Sequence, residues 1–145
     1  MSIANLLAGK GRGVFTIGPE DSIRQALGLL AQHNIGALIV VHSRQQPVGI
    51  LSERDIVREA ARNEGVFAQA VSALMTRDVV IGGPQDDLHS VAHTMIERRI
   101  RHLPVMDGGA LVGIVSIGDV VKAQRDQYQG EVETMQTQLL ASMDW

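Results

Sequence analysis

Hydrophobic and polar positions follow two patterns along this chain, and their order predicts the elements of secondary structure. Short β-branched runs at residues 14–17 and 79–81 predict strands, and glycine and proline end each of them. Apolar residues then recur at helical spacing, which predicts an amphipathic helix after Pro19 and another after Pro84. The apolar positions are Ile23, Ala26, Leu27 and Leu30 in the first helix, and Leu88, Val91, Ala92 and Met95 in the second.

Each predicted helix is followed by two apolar runs with a turn between them. This order predicts a strand, a hairpin turn and a strand in each half. A further helix is predicted to begin near Ser52 and another near Ser116, so each half is a β-α-β-β-α unit. The apolar runs cover residues 37–41 and 48–51 in the first half, and residues 103–106 and 111–115 in the second.

The two halves share a sequence motif. G-I-L-S-E-R-D begins at Gly49 and returns 64 residues later as G-I-V-S-I-G-D, which begins at Gly113. One such unit is marginally stable alone, so we expect an α+β fold in which two repeats pack sheet to sheet about a pseudo-twofold axis, with clefts between them. The expected parts are an N-terminal lead-in (1–13), a first repeat (14–75), a second repeat (76–127) and a C-terminal helical tail (128–145).

The repeated motif places a hydroxyl and a carboxylate at a helix N-terminus. Ser52 and Ser116 would end their strands, with Asp55 and Asp119 in the first helical turn. Backbone N–H groups and the helix dipole favour an anion there, and an aspartate can accept two hydrogen bonds from a ribose diol. This chemistry indicates a nucleotide site. The same S-x-x-D spacing nearly matches a helix capping box, so the motif alone leaves both interpretations open.

The tandem motif, together with I-R-H-L-P-V at residues 100–105, resembles the cystathionine β-synthase (CBS) domain family over residues 14–123. Paired CBS domains are regulatory modules rather than enzymes. They bind adenine nucleotides such as AMP, ATP, NAD and S-adenosylmethionine in the clefts between the domains, and they commonly form disc-shaped dimers. The resemblance therefore implies a non-catalytic homodimer that senses AMP, ATP or NAD(H), reports energy or redox state, and acts on an unidentified regulated protein.

The resemblance also implies roles for particular residues. The aspartates of the two motifs would hold ribose hydroxyls, and the serines would contact ribose or phosphate. Arg101 and His102 would face phosphate. The first repeat lacks this basic pair, so we expect two unequal clefts, of which the one around Arg101 and His102 is the stronger phosphate site. Arg54 either contacts phosphate from the other side of the cleft or is a solvated charge on its helix. The expected binding residues are Thr16, Ile35, Ala37, Ser52, Arg54, Asp55, Val80, Ile100, Arg101, His102, Pro104, Ser116 and Asp119.

Composition excludes several classes of function. The 145 residues are 45% hydrophobic with a mean hydropathy of +0.07, which indicates a folded chain. The chain has no cysteine, so disulfides, thiolate nucleophiles and cysteine-bound metals are ruled out. A net charge of −3 disfavours nucleic-acid binding. The longest apolar stretch is too short for a membrane span, and no secretory signal is evident, so we expect a cytoplasmic protein.

Other motifs are weaker. His89 and His93 have metal-ligand spacing, but Ser90 stands where a metalloprotease needs glutamate, so we expect no metal site. Neither a Rossmann glycine loop nor a G-x-S-x-G nucleophile motif occurs, which disfavours a dehydrogenase or a hydrolase. The remaining alternatives are a protein-interaction scaffold with empty clefts and, with less support, a hydrolase that uses histidine or aspartate.

The two ends of the chain lie outside the repeats. The glycine-rich run at residues 9–13 lacks the spacing of a phosphate loop, so we expect a flexible lead-in, with Lys10 and Arg12 against a ligand phosphate as the alternative. Residues 120–145 carry a narrow apolar stripe that predicts an amphipathic helix, with a bend or break at Gly130. The stripe would cover the module's own surface or pair with a second subunit. Its residues are Tyr128, Val132, Met135 and Leu139.

Overall fold

The computed structural model describes residues 1–10, 13–42 and 46–143, which form two halves that share a helix, two antiparallel strands and a further helix in that order. The first half holds β1 (Thr16–Ile17), α2 (Ile23–His33), β2 (Ala37–Val41), β3 (Pro47–Ser52), α3 (Glu53–Ala60), a 3-10 turn (Val66–Ala68) and α4 (Val71–Leu74). The second half holds α5 (Leu88–Arg98), β4 (His102–Asp107), β5 (Ala110–Ser116) and α6 (Ile117–Ser142), and the chain begins with α1 (Ile3–Lys10).

Equivalent hydrogen bonds show that the two halves are structural repeats. The N–H of Glu53 donates to the carbonyl of Gly36 at 2.9 Å, and the N–H of Ile117 donates to the carbonyl of Arg101 at 2.8 Å. In the same way, the carboxylate of Asp21 accepts from Gly18 as that of Asp86 does from Gly83. Each of these bonds recurs after 64 or 65 residues. The tandem α+β architecture predicted from the repeat is therefore confirmed.

The two sheets differ in their outer strand. In the first sheet β1 is parallel to β2, and β2 is antiparallel to β3; in the second sheet β4 is antiparallel to β5. The strand predicted at residues 79–81 is wrong, because in the described chain only Gly82 pairs with β4, in a single parallel bridge to Val105. In the first half Ile17 stands at the equivalent position and pairs in a two-residue ladder, although Gly18 and Pro19 follow it as Gly83 and Pro84 follow Gly82. The difference is Gly82 itself, which has no side chain to pack and weakens a strand.

The N-terminal segment is a helix rather than a flexible lead-in. Ile3, Leu6 and Leu7 on α1 are buried in the hydrophobic core of the second half, while the first half has a separate core of its own. The flexible lead-in expected at residues 9–13 is therefore wrong for Gly9 and Lys10, which belong to α1, and Arg12 lies outside the described residues. Residues 3–10 form a helix because their apolar side chains pack into this core, and a contact with so distant a part of the chain cannot be read from the local sequence pattern.

Helix α1 packs against the second half in the way that α4 packs against the first. The carbonyl of Met1 accepts from the N–H of Leu88 at 2.9 Å, as the carbonyl of Gln69 accepts from that of Ile23 at 2.9 Å. Both helices then run past the motif glycine of their half. Each half is thus completed by an equivalent helix, which follows the first half in sequence but is separated from the second half, which it serves, by the whole first half.

The repeated glycine has a packing reason. A Cβ atom at Gly49 would lie 2.6 Å from Sδ of Met75 and 3.0 Å from the carbonyl oxygen of Thr76. A Cβ atom at Gly113 would lie 2.7 Å from Cδ2 of Leu7. All three distances are shorter than van der Waals contact, so the motif glycines let α1 and the residues that follow α4 approach the central strands.

Gly49→Ala is therefore expected to destabilise the protein by about 1–3 kcal/mol, the usual cost of overpacking. Gly113→Ala should cost less, because only a side chain has to move there. Gly28→Ala is the matched control: Gly28 is exposed within α2 with open space around it, so alanine should stabilise by roughly 0.5–1 kcal/mol. Urea denaturation gives all three values. A Gly49→Ala protein as stable as the wild type would contradict this account of the glycine.

The predicted second helix of repeat two and the predicted tail are one helix, α6, which is unbroken at Gly130. A single exposed helix glycine costs only about 1 kcal/mol, too little to interrupt a helix of 26 residues. Tyr128, Met135 and Leu139 are 61–68% exposed, so within one chain this stripe does not cover the module's surface. Among the helices of the described chain, none combines the length and the apolar character that crossing a bilayer requires.

Candidate ligand-binding cleft

A cleft with a volume of about 460 Å³ lies between the two halves, within the range of small-molecule sites. Its walls come from Ser52 of the first motif and the first turn of α3, the segment after α4, the residues that follow α5, and the start of β4. The lining residues are Gly36, Ile50, Ser52, Glu53, Arg54, Asp55, Arg58, Thr76, Asp78, Val79, Val80, Arg99, Ile100, Arg101, His102, Ser116 and Ile117.

Both motifs form capping boxes, so the capping interpretation is confirmed for each. The N–H of Asp55 donates to Oγ of Ser52 at 3.2 Å, and the N–H of Ser52 donates to Oδ2 of Asp55 at 3.0 Å. Ser116 and Asp119 repeat this exchange at 3.1 and 2.9 Å. Capping uses one oxygen of Asp55, and its Oδ1 has no hydrogen-bond partner among the described residues. Because Asp55 lines the cleft, its second carboxylate oxygen is left to accept a hydrogen bond from a ligand.

The carboxylate of Asp119 has a further partner. Nζ of Lys10 lies 2.5 Å from its Oδ2, and neither residue lines the cleft. Partial burial alone would raise the pKa of Asp119, but the hydrogen bonds from Lys10 and Ser116 together outweigh burial and lower it. The two motif aspartates are therefore equivalent in sequence but differ in their contacts.

Four guanidinium groups and three carboxylates line the cleft. Arg54 and Arg58 stand four residues apart on α3, and Arg99 and Arg101 follow the end of α5. The acidic groups are Glu53, Asp55 and Asp78. In a chain with a net charge of −3, this concentration of arginine gives the cleft groups that can bind an anion, and the fork of donors on each guanidinium suits phosphate.

His102 is uncharged at neutral pH. Burial is the largest cause that lowers its pKa, and the positive charges of Lys10 and Arg101 add to the effect, against the carboxylates of Asp119 and Glu53. A neutral imidazole can donate one hydrogen bond, so the positive charge at this wall of the cleft comes from the arginines.

The structure brings most of the residues expected from the sequence to one cleft. Arg101 and His102 of the second repeat line this cleft together with Ser52 and Asp55 of the first motif, whereas Asp119 does not line it. His102 is nevertheless close enough to Asp119 to be affected by its charge. The expected residues that line the cleft are Ser52, Arg54, Asp55, Val80, Ile100, Arg101, His102 and Ser116. Those that do not line it are Thr16, Ile35, Ala37, Pro104 and Asp119.

Several lining residues were missed in the sequence. Arg58 had a usable signal, since it lies one helical turn beyond Arg54. Arg99 adopts a left-handed conformation with φ of 55°, as its counterpart Asn34 does with φ of 51°; this conformation is uncommon for arginine and has no signature in one sequence. Thr76 and Asp78 follow α4 in an irregular segment that no periodicity describes.

The histidine pair at residues 89 and 93 has a different environment. Nε2 of His93 lies 3.2 Å from a carboxylate oxygen of Glu97, one turn further along α5. Across residues 1–10, 13–42 and 46–143, three or more histidine, aspartate or glutamate side chains nowhere group in a way that could hold a metal ion. The described residues thus supply no third ligand beside this pair.

Comparison with known proteins points to one family. The family model of the CBS domain matches residues 11–62 and 71–126. The crystal structure of the CBS-domain containing protein ATU1752 from Agrobacterium tumefaciens is 41% identical, with a TM-score of 0.80, over 86% of this chain and 99% of that chain. The CBS domain-containing protein YhcV of Bacillus subtilis is 36% identical over 113 residues, which are 77% of this chain and 79% of YhcV.

One similar structure carries ligands. The CBS domain pair of protein MJ0100, solved in complex with 5′-methylthioadenosine and S-adenosyl-L-methionine, is 26% identical to this chain with a TM-score of 0.78. The match covers 88% of this chain and 98% of that one. A structurally similar pair therefore binds two adenosine-derived ligands.

Proposed function

This chain belongs to the CBS domain family, whose paired domains are regulatory, and from that premise we propose that it is a sensor of an adenine nucleotide. The ligand, AMP, ATP or NAD(H), binds in the cleft between the two halves. Its occupancy is transmitted to a partner protein. The chain has no catalytic role in this proposal.

One observation carries the proposal. An aspartate with an uncommitted carboxylate oxygen shares a cleft with four arginines, so a diol acceptor and phosphate donors stand in one site. We assign Asp55 to the ribose hydroxyls and Arg54 and Arg101 to phosphate. The apolar side chains of Val80 and Ile100 line the same cleft and suit the face of a base.

Thermal unfolding with and without ligand tests the proposal. AMP, ATP, NAD and NADH at millimolar concentration are each compared with 5′-methylthioadenosine, which lacks phosphate. A ligand that binds only the folded state adds RT ln(1 + [L]/Kd) to stability, about 2.7 kcal/mol at a hundredfold excess over Kd. At least one phosphorylated ligand should raise the melting temperature more than 5′-methylthioadenosine does. If none of them shifts it, the nucleotide sensor is excluded and the scaffold with empty clefts takes its place.

We also propose that the protein is a homodimer whose main contact is made by the helices of the repeats. Three apolar side chains on these helices are 58–70% exposed in the single chain: Val57 on α3, Ile96 on α5 and Val121 on α6. Burying them would stabilise the contact with a second copy of the chain. The exposed stripe on the far part of α6 contributes to the contact without being sufficient for it.

A chain that ends at Gln127 is therefore expected to remain a dimer in light scattering while it loses some thermal stability. Because the stripe is exposed in one chain, the lost stability must come from the partner, and the melting temperature should depend on protein concentration. A well-folded monomer would instead show that the far part of α6 is the dimerisation element.

A further inference from the structure

The side-chain contacts of Lys10 with Ile114 and Asp119 differ from the contacts at the equivalent position of the first repeat, next to Ile50 and Asp55. We propose that Lys10 is a built-in plug: its ammonium group occupies the binding position around Asp119, so that one chain holds one nucleotide instead of two. This inference rests on the proposed function, because it concerns the second of two positions that the duplication creates.

The plug is defined by two short contacts. Nζ of Lys10 lies 2.5 Å from Oδ2 of Asp119 and 2.8 Å from the carbonyl oxygen of Ile114, to which it donates. The side chains of Lys10 and Asp119 are 34% and 25% exposed, so the pair is partly shielded from water. Charge-assisted hydrogen bonds of this kind are stronger than those between neutral groups.

The position of Lys10 is fixed by the helix that carries it. Lys10 is the last residue of α1, whose buried Leu7 packs against the motif glycine, Gly113. Ile3 and Leu6 hold the same helix in the core of the second half. The ammonium group is thus delivered to Asp119 by a packed element and not by a free terminus.

The first repeat shows the same place without a plug. There the carbonyl of Ile50 accepts from the backbone N–H of Thr76 at 2.9 Å, because α4 ends at Leu74 and the chain continues as an extended segment. In the second repeat α1 continues to Lys10, and the lysine side chain supplies the donor for Ile114. The backbone partner of the first repeat is replaced by a cation, which also reaches the aspartate.

A ribose diol and the ammonium group need the same carboxylate. To bind at Asp119, a ligand would have to displace Lys10 and leave a partly buried charge without its partner, so binding there is weakened. Among the residues that the structure describes, no cation is ion-paired to Asp55, and this aspartate lines the open cleft. The duplication therefore leaves two motifs of which the wild-type protein uses one.

Isothermal titration calorimetry with AMP on the full chain tests this inference. The wild type is expected to bind one AMP per chain, and Lys10→Met to bind two. The second site should be lost again when Asp119→Asn is added to Lys10→Met. Arg125→Met is the matched control, since it also removes a cation ion-paired to an aspartate, Asp126 at 3.7 Å, but on the exposed part of α6; it should bind one AMP, as the wild type does.

Each result decides between the two proposals. If the wild type binds two AMP per chain, or if Lys10→Met gains no site, the plug is overturned whether or not the first cleft binds AMP. If the wild type binds none, the nucleotide sensor fails for AMP, while a site gained in Lys10→Met would still support the plug. Lys10→Gln, which keeps a donor for Ile114, replaces Lys10→Met should that variant fold poorly, and the same gain of one site is required of it.

Discussion

Asp55→Ala is expected to lower the affinity for AMP by roughly 10- to 100-fold, whereas Asp119→Ala leaves it within about twofold. The loss reflects the removal of a charged acceptor from a ligand hydrogen bond, which costs on the order of 1.5–3 kcal/mol. Asp55 lines the open cleft, while the carboxylate of Asp119 lies outside it and holds Lys10. Calorimetry with AMP on both variants measures the difference.

The two variants control for each other. Both aspartates accept a hydrogen bond from the serine that caps their helix, so both substitutions remove half of a capping box, at a cost of about 1 kcal/mol each. Asp119→Ala also removes the partner of Lys10 and should be the more destabilised of the two variants. A loss of affinity in Asp55→Ala but not in the more destabilised Asp119→Ala therefore reports the ligand contact and not a loss of stability. Equal losses would contradict the assignment of the open cleft. Unchanged affinity in both variants would leave Asp55 with capping as its only role.

The repeat made most of the fold predictable. Because G-h-h-S-x-x-D occurs twice at nearly the same distance from equivalent apolar runs, each half supports the prediction of the other. Where the halves diverge, the prediction fails: the run at residues 79–81 has β-branched residues, as residues 14–17 do, but Gly82 and Gly83 follow it, and only one bridge forms. Local propensity did not outweigh the cost of ordering two successive glycines.

Helix α1 could not be predicted from local pattern. Its helical state depends on Leu7 meeting Gly113, more than a hundred residues away in sequence, and on the Met1 carbonyl meeting the N–H of Leu88. The role of Lys10 depends on the same docking. The segment at residues 3–7 shares its apolar positions with residues 71–75, since Ile3, Leu6 and Leu7 correspond to Val71, Leu74 and Met75, but three apolar positions at opposite ends of two repeats are too few to predict equivalent docking.

Which residues share the cleft could not be predicted from the sequence either. The sequence shows that Asp55 and Asp119 are equivalent and that only the second repeat carries Arg101 and His102, but not which aspartate faces the basic pair. The structure places Arg101 with Asp55 because the start of β4 meets the N-terminus of α3 across the two halves. Contacts between repeats depend on how the halves are oriented, and hydrophobic periodicity does not encode that orientation.

Arg101→Ala is expected to weaken AMP binding about tenfold or more and to leave the affinity for adenosine nearly unchanged. Arg101 is an exposed cation at the wall of the cleft, and loss of a hydrogen bond to a charged phosphate costs on the order of 1.5–3 kcal/mol. His102 does not replace this charge, because burial keeps its pKa low and its imidazole neutral. Competition titrations with adenosine and AMP separate the phosphate contact from contacts to ribose and base.

Arg125→Ala on α6 serves as the control, since it removes the same charge far from the cleft and should change neither affinity. The preference of the wild type for AMP over adenosine should also shrink as salt is raised, because an exposed guanidinium is screened by ions. If Arg101→Ala weakens adenosine and AMP equally, Arg101 shapes the cleft without contacting phosphate. The anion preference would then have to come from Arg54, Arg58 and Arg99, and Arg54→Ala would be expected to show the selective loss instead.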